Sequence, residues 1–147
     1  MRTFKIVSLN ISENKGEPKK PVKKINVIEN HGIEGDAHTG KWHRQVSLLA
    51  GESIDNVREI LPGIKNGVFA ENIITRGVDL SSLKVGDRLQ IGEEVLLEVT
   101  QIGKECHNSG CAIKKATGDC IMPREGIFAR VLQGGQVSRE LSITLIK

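Results

Sequence analysis

Short runs of apolar residues, separated by glycine-containing turns, constrain the fold of this sequence more than any other feature. Within residues 95–102, Val95, Leu97 and Val99 occupy every second position from 95 to 99, and residues 88–91 form a similar run across a short turn. Side chains that alternate with a period of two lie on opposite faces of a β-strand, so these two runs predict a hairpin. The same reasoning predicts further strands at residues 3–10, 22–29, 45–50, 72–75 and 141–146.

Two stretches predict short helices. Residues 52–61 carry apolar side chains at helical spacing and end before a Pro-Gly pair, and residues 127–132 are followed by two glycines. Many short strands with frequent glycine turns and few helices are typical of a β-barrel, whose closure also removes exposed strand edges. We therefore predict a mainly β fold: a closed or partly open β-barrel with a few short helices.

Length and composition predict a single domain over residues 1–147. Hydrophobic residues make up 38% of the chain but aromatic residues only 3%, so the core must consist of Val, Ile and Leu, which favour strands. The net charge of +3 is too small to favour binding to nucleic acid. The sequence contains neither an apolar run of membrane-spanning length nor the apolar core of a signal peptide. We expect a cytoplasmic protein without a membrane or nucleic-acid partner.

A polar segment at residues 12–21 predicts a loop, because it combines one glycine, two prolines and several lysines. Charge runs without aromatic residues are usually solvated. We therefore predict that the lysines of this region face solvent: Lys15, Lys19, Lys20, Lys23 and Lys24.

All three cysteines of the chain fall within fifteen consecutive residues: Cys106, Cys111 and Cys120. Their odd number and the expected reducing compartment argue against structural disulfides. Basic side chains and glycines surround them, and nearby cations stabilise the reactive thiolate form of cysteine. The clustering indicates a site with thiol chemistry.

Several thiol sites fit this segment. Soft thiolate ligands suit zinc, copper(I), iron–sulfur clusters and, by the same argument, molybdenum. The absence of a Cys-x-x-Cys motif argues against thioredoxin-like chemistry and a zinc ribbon. A Cys3His zinc site that includes His107 stays open, although Cys106 and His107 are adjacent and reach one tetrahedral ion with difficulty. Three packed, inert thiols are the remaining alternative.

Two further stretches carry candidate binding residues. Residues 32–49 hold Asp36, His38, His43 and Arg44 among glycines, and the planar guanidinium of Arg44 matches phosphate oxygens. Isolated histidines are more often hydrogen-bonded surface residues than ligands. Residues 67–80 hold two further candidates: Asn72, whose amide can hydrogen-bond a heterocycle, and Arg76, whose cation can bind an anion. A capped turn that precedes a strand is an equally good explanation of these residues.

The sequence lacks the motifs of the familiar nucleotide and hydrolase sites. It contains no Gly-x-x-x-x-Gly-Lys-Ser/Thr phosphate loop and no dinucleotide-binding Gly-x-Gly-x-x-Gly after a strand. It also lacks the Gly-x-Ser-x-Gly turn of serine hydrolases.

Three blocks in order resemble the MOSC family, named for the C-terminal domain of molybdenum cofactor sulfurase. They are GIEGDAHTGKWHRQVSLL, VFAENIITRGVDLSSLKVGDRLQIG and LEVTQIGKECHNSGCAIKKATGDCIMPREGIFARVLQGG, which together span residues 32–135. The short, stand-alone bacterial form is the most similar. The resemblance implies a β-barrel, a molybdopterin-type molybdenum cofactor, and partners that make or sulfurate that cofactor.

The resemblance also implies roles for individual residues. It predicts Cys111 first and Cys106 second as the molybdenum ligand, persulfide carrier or catalytic thiol, because the reductases of the family ligate molybdenum through a cysteine of a corresponding segment. Phosphate contacts are expected from Arg44, Arg76 and Lys104, and a pterin contact from Asn72. The same site is expected to include Asp36, His38, His43, His107 and Cys120.

The expected function is molybdenum-cofactor binding or sulfur carriage. The larger reductases of the family carry an additional β-barrel domain that these 147 residues do not contain, and the end of the chain lacks a Gly-Asp turn expected before the last strand. Both departures favour binding over turnover. The alternatives are a small molybdenum-dependent reductase or oxotransferase and a non-catalytic interaction module stabilised by zinc.

Overall fold

The computed structural model describes residues 2–14, 19–67, 69, 71–77, 80–103 and 126–146. Strands dominate these ranges. In chain order the elements are β1 (Arg2–Ile11), β2 (Lys20–Val22), β3 (Lys24–Ile28), β4 (Gly32–Ile33), β5 (Val46–Ala50), α1 (Gly51–Arg58), β6 (Ile73–Arg76), a 3-10 helix (Leu80–Ser82), β7 (Arg88–Ile91), β8 (Val95–Ile102), β9 (Ile127–Gln133), β10 (Gly135–Ser138) and β11 (Ser142–Ile146).

Seven strands form a closed barrel, as the sequence predicts. The order is β11-β7-β8-β9-β5-β6-β1, and pairing of β11 with β1 closes the ring, while β2 extends from the edge of β1. Strands β5 and β6 are parallel, and the other neighbouring pairs of the barrel are antiparallel. A second sheet contains β10, β3 and β4 in that order. Closure leaves no free edge within the barrel itself.

Branched aliphatic side chains fill the barrel interior. In β8, Val95, Leu97 and Val99 are fully buried, and the residues between them are half-buried, which is the alternation expected of a strand with one face on the core. A smaller cluster lies outside the barrel, under helix α1. It consists of Leu49, Ile54, Val57, Phe69, Ile74 and Phe128.

The predicted helix at residues 127–132 is wrong, because this stretch is strand β9. Ile127, Ala129 and Val131 enter the barrel core, whereas Phe128 packs into the cluster under helix α1. Because β9 buries side chains on both faces, its apolar residues do not alternate with polar ones at a period of two. The other predicted helix is confirmed as α1, which begins one residue earlier than predicted and ends at Arg58.

The helices of the described ranges are short. None of them has the length and apolar character of a membrane-spanning segment.

Candidate functional site

The cysteine-containing segment departs from the barrel between β8 and β9. The backbone N–H of Gly103 donates to the carbonyl of Gly126 at 2.7 Å, so the two ends of residues 104–125 are held together at this point. That segment lies outside the described residues. The predicted roles of Lys104, Cys106, His107, Cys111 and Cys120 fall on it and stay predictions.

Gln101 connects this point to the loop that precedes β5. Its Oε1 accepts hydrogen bonds from Arg44 Nε at 2.9 Å and from His43 Nε2 at 2.8 Å. Its Nε2 donates to the carbonyl of Gly103 at 2.7 Å. Because an amide oxygen only accepts, the hydrogen of His43 is on Nε2. Two predicted site residues, His43 and Arg44, are therefore fixed beside the departure of the cysteine segment.

The guanidinium of Arg44 lies against two aromatic rings. Its Cζ is 5.3 Å from the ring centroid of Phe128 and 5.9 Å from that of Trp42, distances at which a cation interacts with a π face. Trp42 also meets the ring of His43 edge-on, with the centroids 5.8 Å apart. Apart from Nε, the Arg44 guanidinium donates to no acceptor within the described ranges. The N–H groups on its two terminal nitrogens are of the kind that bind an oxyanion.

A second polar cluster contains Lys19, Asp36 and His38. The ammonium of Lys19 lies 2.7 Å from Asp36 Oδ1, 2.8 Å from His38 Nδ1 and 3.3 Å from the Ser12 hydroxyl. The side chains of Lys19 and Asp36 are completely buried. The solvated position predicted for Lys19 is therefore wrong, whereas Lys20, Lys23 and Lys24 are exposed as predicted.

The environment of Asp36 favours its ionised form. Burial by itself raises the pKa of a carboxyl group, but the hydrogen bond and charge of Lys19 and the N–H groups of Ser12 and His38 outweigh burial here. Together they hold the pKa of Asp36 below its usual value. Asp36 therefore serves as the counter-ion of Lys19 within the protein.

One loop carries both clusters. The indole N–H of Trp42 donates to the carbonyl of His38 at 2.9 Å, and the side-chain amide of Gln45 donates to the carbonyl of Gly40 at 2.9 Å. Gln45 Oε1 in turn accepts from the backbone N–H of Val131 in β9. These bonds fix the path of residues 38–45 and attach the loop to β9.

Asn72 lies in the interior rather than in the Arg44 cluster. Its Oδ1 accepts from the N–H and hydroxyl of Ser47 at 3.0 and 3.2 Å, and its Nδ2 donates to the carbonyl of Asn10 at 3.1 Å. The residue is 1% exposed. The amide thus ties together β1, β5 and the start of β6, and its predicted pterin contact stays a prediction.

Arg76 lies at the far end of the parallel pair of strands. Its guanidinium donates to Asp55 of helix α1 at 2.9 Å. Ala50 pairs with the preceding residue, Thr75. Arg44 precedes β5, whereas Ala50 ends it, and the strand from Val46 to Ala50 alone advances about 13 Å at ~3.3 Å per residue. The structure therefore does not bring Arg76 together with Arg44.

The sequence reasoning missed three residues of this region: Lys19, Trp42 and Gln101. Trp42 carried a usable signal, because it is the single tryptophan of the chain and lies in a glycine-rich loop beside two candidates. Gln101 follows a register shift between β8 and β9, which alternation cannot reveal. Nothing distinguished Lys19 from the neighbouring lysines.

The described ranges contain no group of three or more His, Cys, Asp or Glu side chains arranged for a metal ion. The prediction of a metal ligand therefore rests on the cysteines. The residues that the structure does place beside their segment are cationic or N–H donors with an exposed indole. Such a set fits the phosphate and planar ring of a pterin cofactor.

Comparison with known proteins supports the same fold. The YuaD protein of Bacillus subtilis is 22% identical and has a TM-score of 0.81, with 98% of this chain and 96% of that chain covered. YiiM from Escherichia coli is 18% identical with a TM-score of 0.71, covering 100% of this chain and 71% of that chain. YiiM from Geobacillus stearothermophilus is 20% identical with a TM-score of 0.71, covering 98% and 75%.

The comparison with curated proteins found no match in sequence. The MOSC domain, by contrast, matches residues 35–144, most of the chain. The chain therefore belongs to the MOSC domain family, which is associated with functions related to the molybdenum cofactor.

Proposed function

We propose that this protein binds a molybdenum-pterin cofactor, with Arg44 holding the cofactor's phosphate and a cysteine of residues 104–125 supplying the thiolate. The observation that carries the proposal is the Arg44 guanidinium, flanked by Trp42 and Phe128 beside the start of the cysteine segment. When bound, the cofactor supplies a redox-active molybdenum that accepts sulfur ligands.

Arg44 is suited to binding a phosphate because its guanidinium is held in one orientation. Its Nε is held by Gln101, and the two rings lie within 6 Å of the guanidinium, so the plane of the fork is set before a ligand arrives. A planar fork binds two oxygens of a phosphate at once, which a lysine ammonium cannot do in the same geometry. His43, held by the same amide oxygen, lies next to it and adds an N–H donor on the same loop.

The thiolate part of the proposal depends on chain connectivity. Gly103 is fixed beside Gln101, and Cys106 follows it by three residues in the sequence. Three residues of extended chain span at most about 11 Å. Connectivity therefore supports Cys106, while the family resemblance favours Cys111, and both remain candidates for ligand or persulfide carrier.

The test measures molybdenum and pterin per chain in untagged protein from a molybdate-fed host. Arg44→Gln should lower retention of both about tenfold or more, because it removes charge-assisted hydrogen bonds of about 1.5–3 kcal/mol. Arg130→Gln is the matched control, since Arg130 pairs with Glu98 on the outer face of β9 and should leave retention unchanged. Equal retention in the Arg44 and Arg130 variants would contradict the proposal.

The same assay ranks the thiols. We expect the double variant Cys106→Ser/Cys111→Ser to lose molybdenum, and the two single variants to show which thiol dominates. Mass spectrometry of the intact protein separates the two forms of the proposal, because only sulfur carriage leaves a persulfide on the chain. Stoichiometric zinc without pterin would instead support the zinc-stabilised module.

A further inference from the structure

A cavity opens beside strand β1, where the chain passes between the barrel and the second sheet. On one edge of β1 the pairing with β11 ends at Lys5, and the pairing with β2 begins only at Leu9. The cavity lies at this interruption, because Ile6 and Val7 are among its lining residues. Its volume is about 760 Å³, within the roughly 300–1,000 Å³ that is typical of pockets for small molecules.

Two crossings between the sheets form walls of the cavity. Lys23 joins β2 of the barrel sheet to β3 of the second sheet, and residues 139–141 join β10 of the second sheet to β11 of the barrel. The backbone N–H of Leu141 donates to the carbonyl of Ser138 at 3.2 Å, which closes the second crossing as a tight turn. Because Ser138 pairs with Lys24 of β3, the two walls are attached to each other through the second sheet.

The turn between β7 and β8 forms a third wall and packs closely against the other elements. A Cβ atom on Gly135 would lie 2.8 Å from the Glu94 Cβ, and one on Gly92 would lie 3.0 Å from Leu141 Cδ1. Glycine permits this close approach because it has no Cβ. The N–H of Gly92 also donates to the carbonyl of Ser142 at 3.1 Å. The wall that carries Glu94 is therefore held in place before a ligand binds.

Five charged side chains line the cavity without pairing to one another. They are three cations and two carboxylates: Lys23, Lys24, Arg139, Glu94 and Glu140. In the part of the chain that the structure describes, none of the five forms an ion pair or a side-chain hydrogen bond. Because the opposite charges do not satisfy one another, the cavity offers both donors and acceptors to a ligand, with the cations in excess.

The cations of the cavity suit an oxyanion. The planar guanidinium of Arg139 can bind two oxygens of a phosphate or carboxylate at once, and the ammonium groups of the two lysines supply further donors. Val7 and Leu141, both half-buried, add apolar surface next to these groups. A small molecule with an anionic group and a short carbon chain therefore matches the lining.

We propose that the cavity is a second ligand site, which binds the phosphate or carboxylate group of a small molecule through Arg139, Lys23 and Lys24. Glu94 and Glu140 accept hydrogen bonds from an amine of the same molecule.

This site is separate from the Arg44 cluster. Glu94 immediately precedes β8, whereas Gln101, which holds Arg44, lies near the far end of that strand. From Val95 to Gln101 the strand advances about 20 Å at ~3.3 Å per residue. The proposal for the cavity therefore does not depend on the proposed function, and each can fail alone.

The experiment follows the backbone amide signals of isotope-labelled protein by NMR during titration with inorganic phosphate. The ionic strength is kept constant, since salt screens exposed charges. We expect saturable shifts centred on Lys24, Arg139 and Leu141. Shifts that rise without saturation, or that centre on Arg44 and Gln101 instead, overturn the proposal.

Variants assign the binding to the cavity. Arg139→Gln should weaken phosphate binding about tenfold or more, because it removes charge-assisted hydrogen bonds. Lys65→Gln is the matched control, since Lys65 is exposed, carries the same charge and does not line the cavity. Its affinity for phosphate should equal that of the wild type. Equal affinities in the two variants, whether weakened or not, overturn the proposal.

Two further probes test the carboxylates. Phosphoethanolamine carries an amine that ethyl phosphate lacks, so it should bind about fivefold more tightly, the effect of about one hydrogen bond. The double variant Glu94→Gln/Glu140→Gln should remove most of this difference. Equal affinity of the wild type for the two compounds overturns the role of Glu94 and Glu140.

Discussion

At the scale of single residues, burial decides what a charge contributes. Asp36 and Lys19 form an ion pair with both side chains fully buried, whereas Asp55 and Arg76 form one with both side chains nearly half exposed. The two N–O distances, 2.7 and 2.9 Å, hardly differ. Solvent screens the second pair, while removal of one partner of the first leaves an uncompensated buried charge.

We therefore expect Asp36→Ala to lower the free energy of unfolding by about 3–5 kcal/mol, because it leaves the Lys19 ammonium buried without its counter-ion. Asp55→Ala, the matched control, should cost less than about 1 kcal/mol. Urea denaturation at neutral pH measures both values. Similar losses in the two variants would show that the buried ion pair contributes no more to the free energy of unfolding than the exposed one.

Glu71 predicts a pH dependence of stability. Burial raises its pKa from 4.5 to about 7, although its own N–H, those of Gly67 and Phe69, and the charge of Lys19 act in the opposite direction. In the unfolded chain the carboxyl loses its proton near its ordinary pKa, while in the folded protein it keeps the proton up to about pH 7. The contribution of Glu71 to stability is therefore present below the unfolded pKa and lost as the pH rises to about 7.

The loss across this window is at most about 3.5 kcal/mol, at about 1.4 kcal/mol for each pKa unit. Urea denaturation of wild type and Glu71→Gln at several pH values measures the difference in their free energies of unfolding. The free energy of unfolding of the wild type, relative to that of Glu71→Gln, should decline between about pH 4.5 and 7 and then level off. Parallel curves for the two proteins over that range would contradict the raised pKa.

At the scale of elements, sequence reasoning succeeded where a strand buries one face and failed where it buries two. The hairpin of β7 and β8 was predicted with its observed bounds, because its alternation is visible. In β9, Ile127 and Val131 enter the core while Phe128 is buried on the opposite side, so the apolar positions match a helix as well as a strand.

The candidate site shows a similar division. The sequence identified His43 and Arg44 through their residue types and their glycine-rich loop, and the structure places both beside the departure of the cysteine segment. The sequence reasoning placed Arg76 in the same site as Arg44, because the distance between the two arginines depends on the pairing of β5 with β6. The burial of Lys19 likewise depends on a long-range contact, its bond to Asp36.

At the scale of the whole molecule, the first and last strands close the barrel. Strand β11 pairs with β1 on one side and with β7 on the other, so the fold is complete only when the two ends of the described chain meet. Ile143 pairs with Phe4 and Ile91 and is fully buried, whereas Thr144 is half-buried on the other face. The closing strand thus has one face on which stability depends.

Ile143→Ala should lower the free energy of unfolding by about 2–5 kcal/mol, because it leaves a cavity where the barrel closes. Thr144→Ala, its neighbour on the same strand, removes only a cross-strand hydroxyl contact with Thr3 and should cost less than about 1 kcal/mol. Chemical denaturation followed by far-UV circular dichroism measures both. A small loss for Ile143→Ala would mean that the strand contributes little to closure.

The position of Trp42 has a practical consequence. It is the single tryptophan of the chain, it is 37% exposed, and it lies against Arg44 rather than in the barrel core. Intrinsic emission excited at the tryptophan band therefore reports on the loop that carries Arg44, and a pterin that settles on the indole should quench it. The barrel interior contains no tryptophan, so this emission reports on the core only through the bonds that tie the loop to β8 and β9.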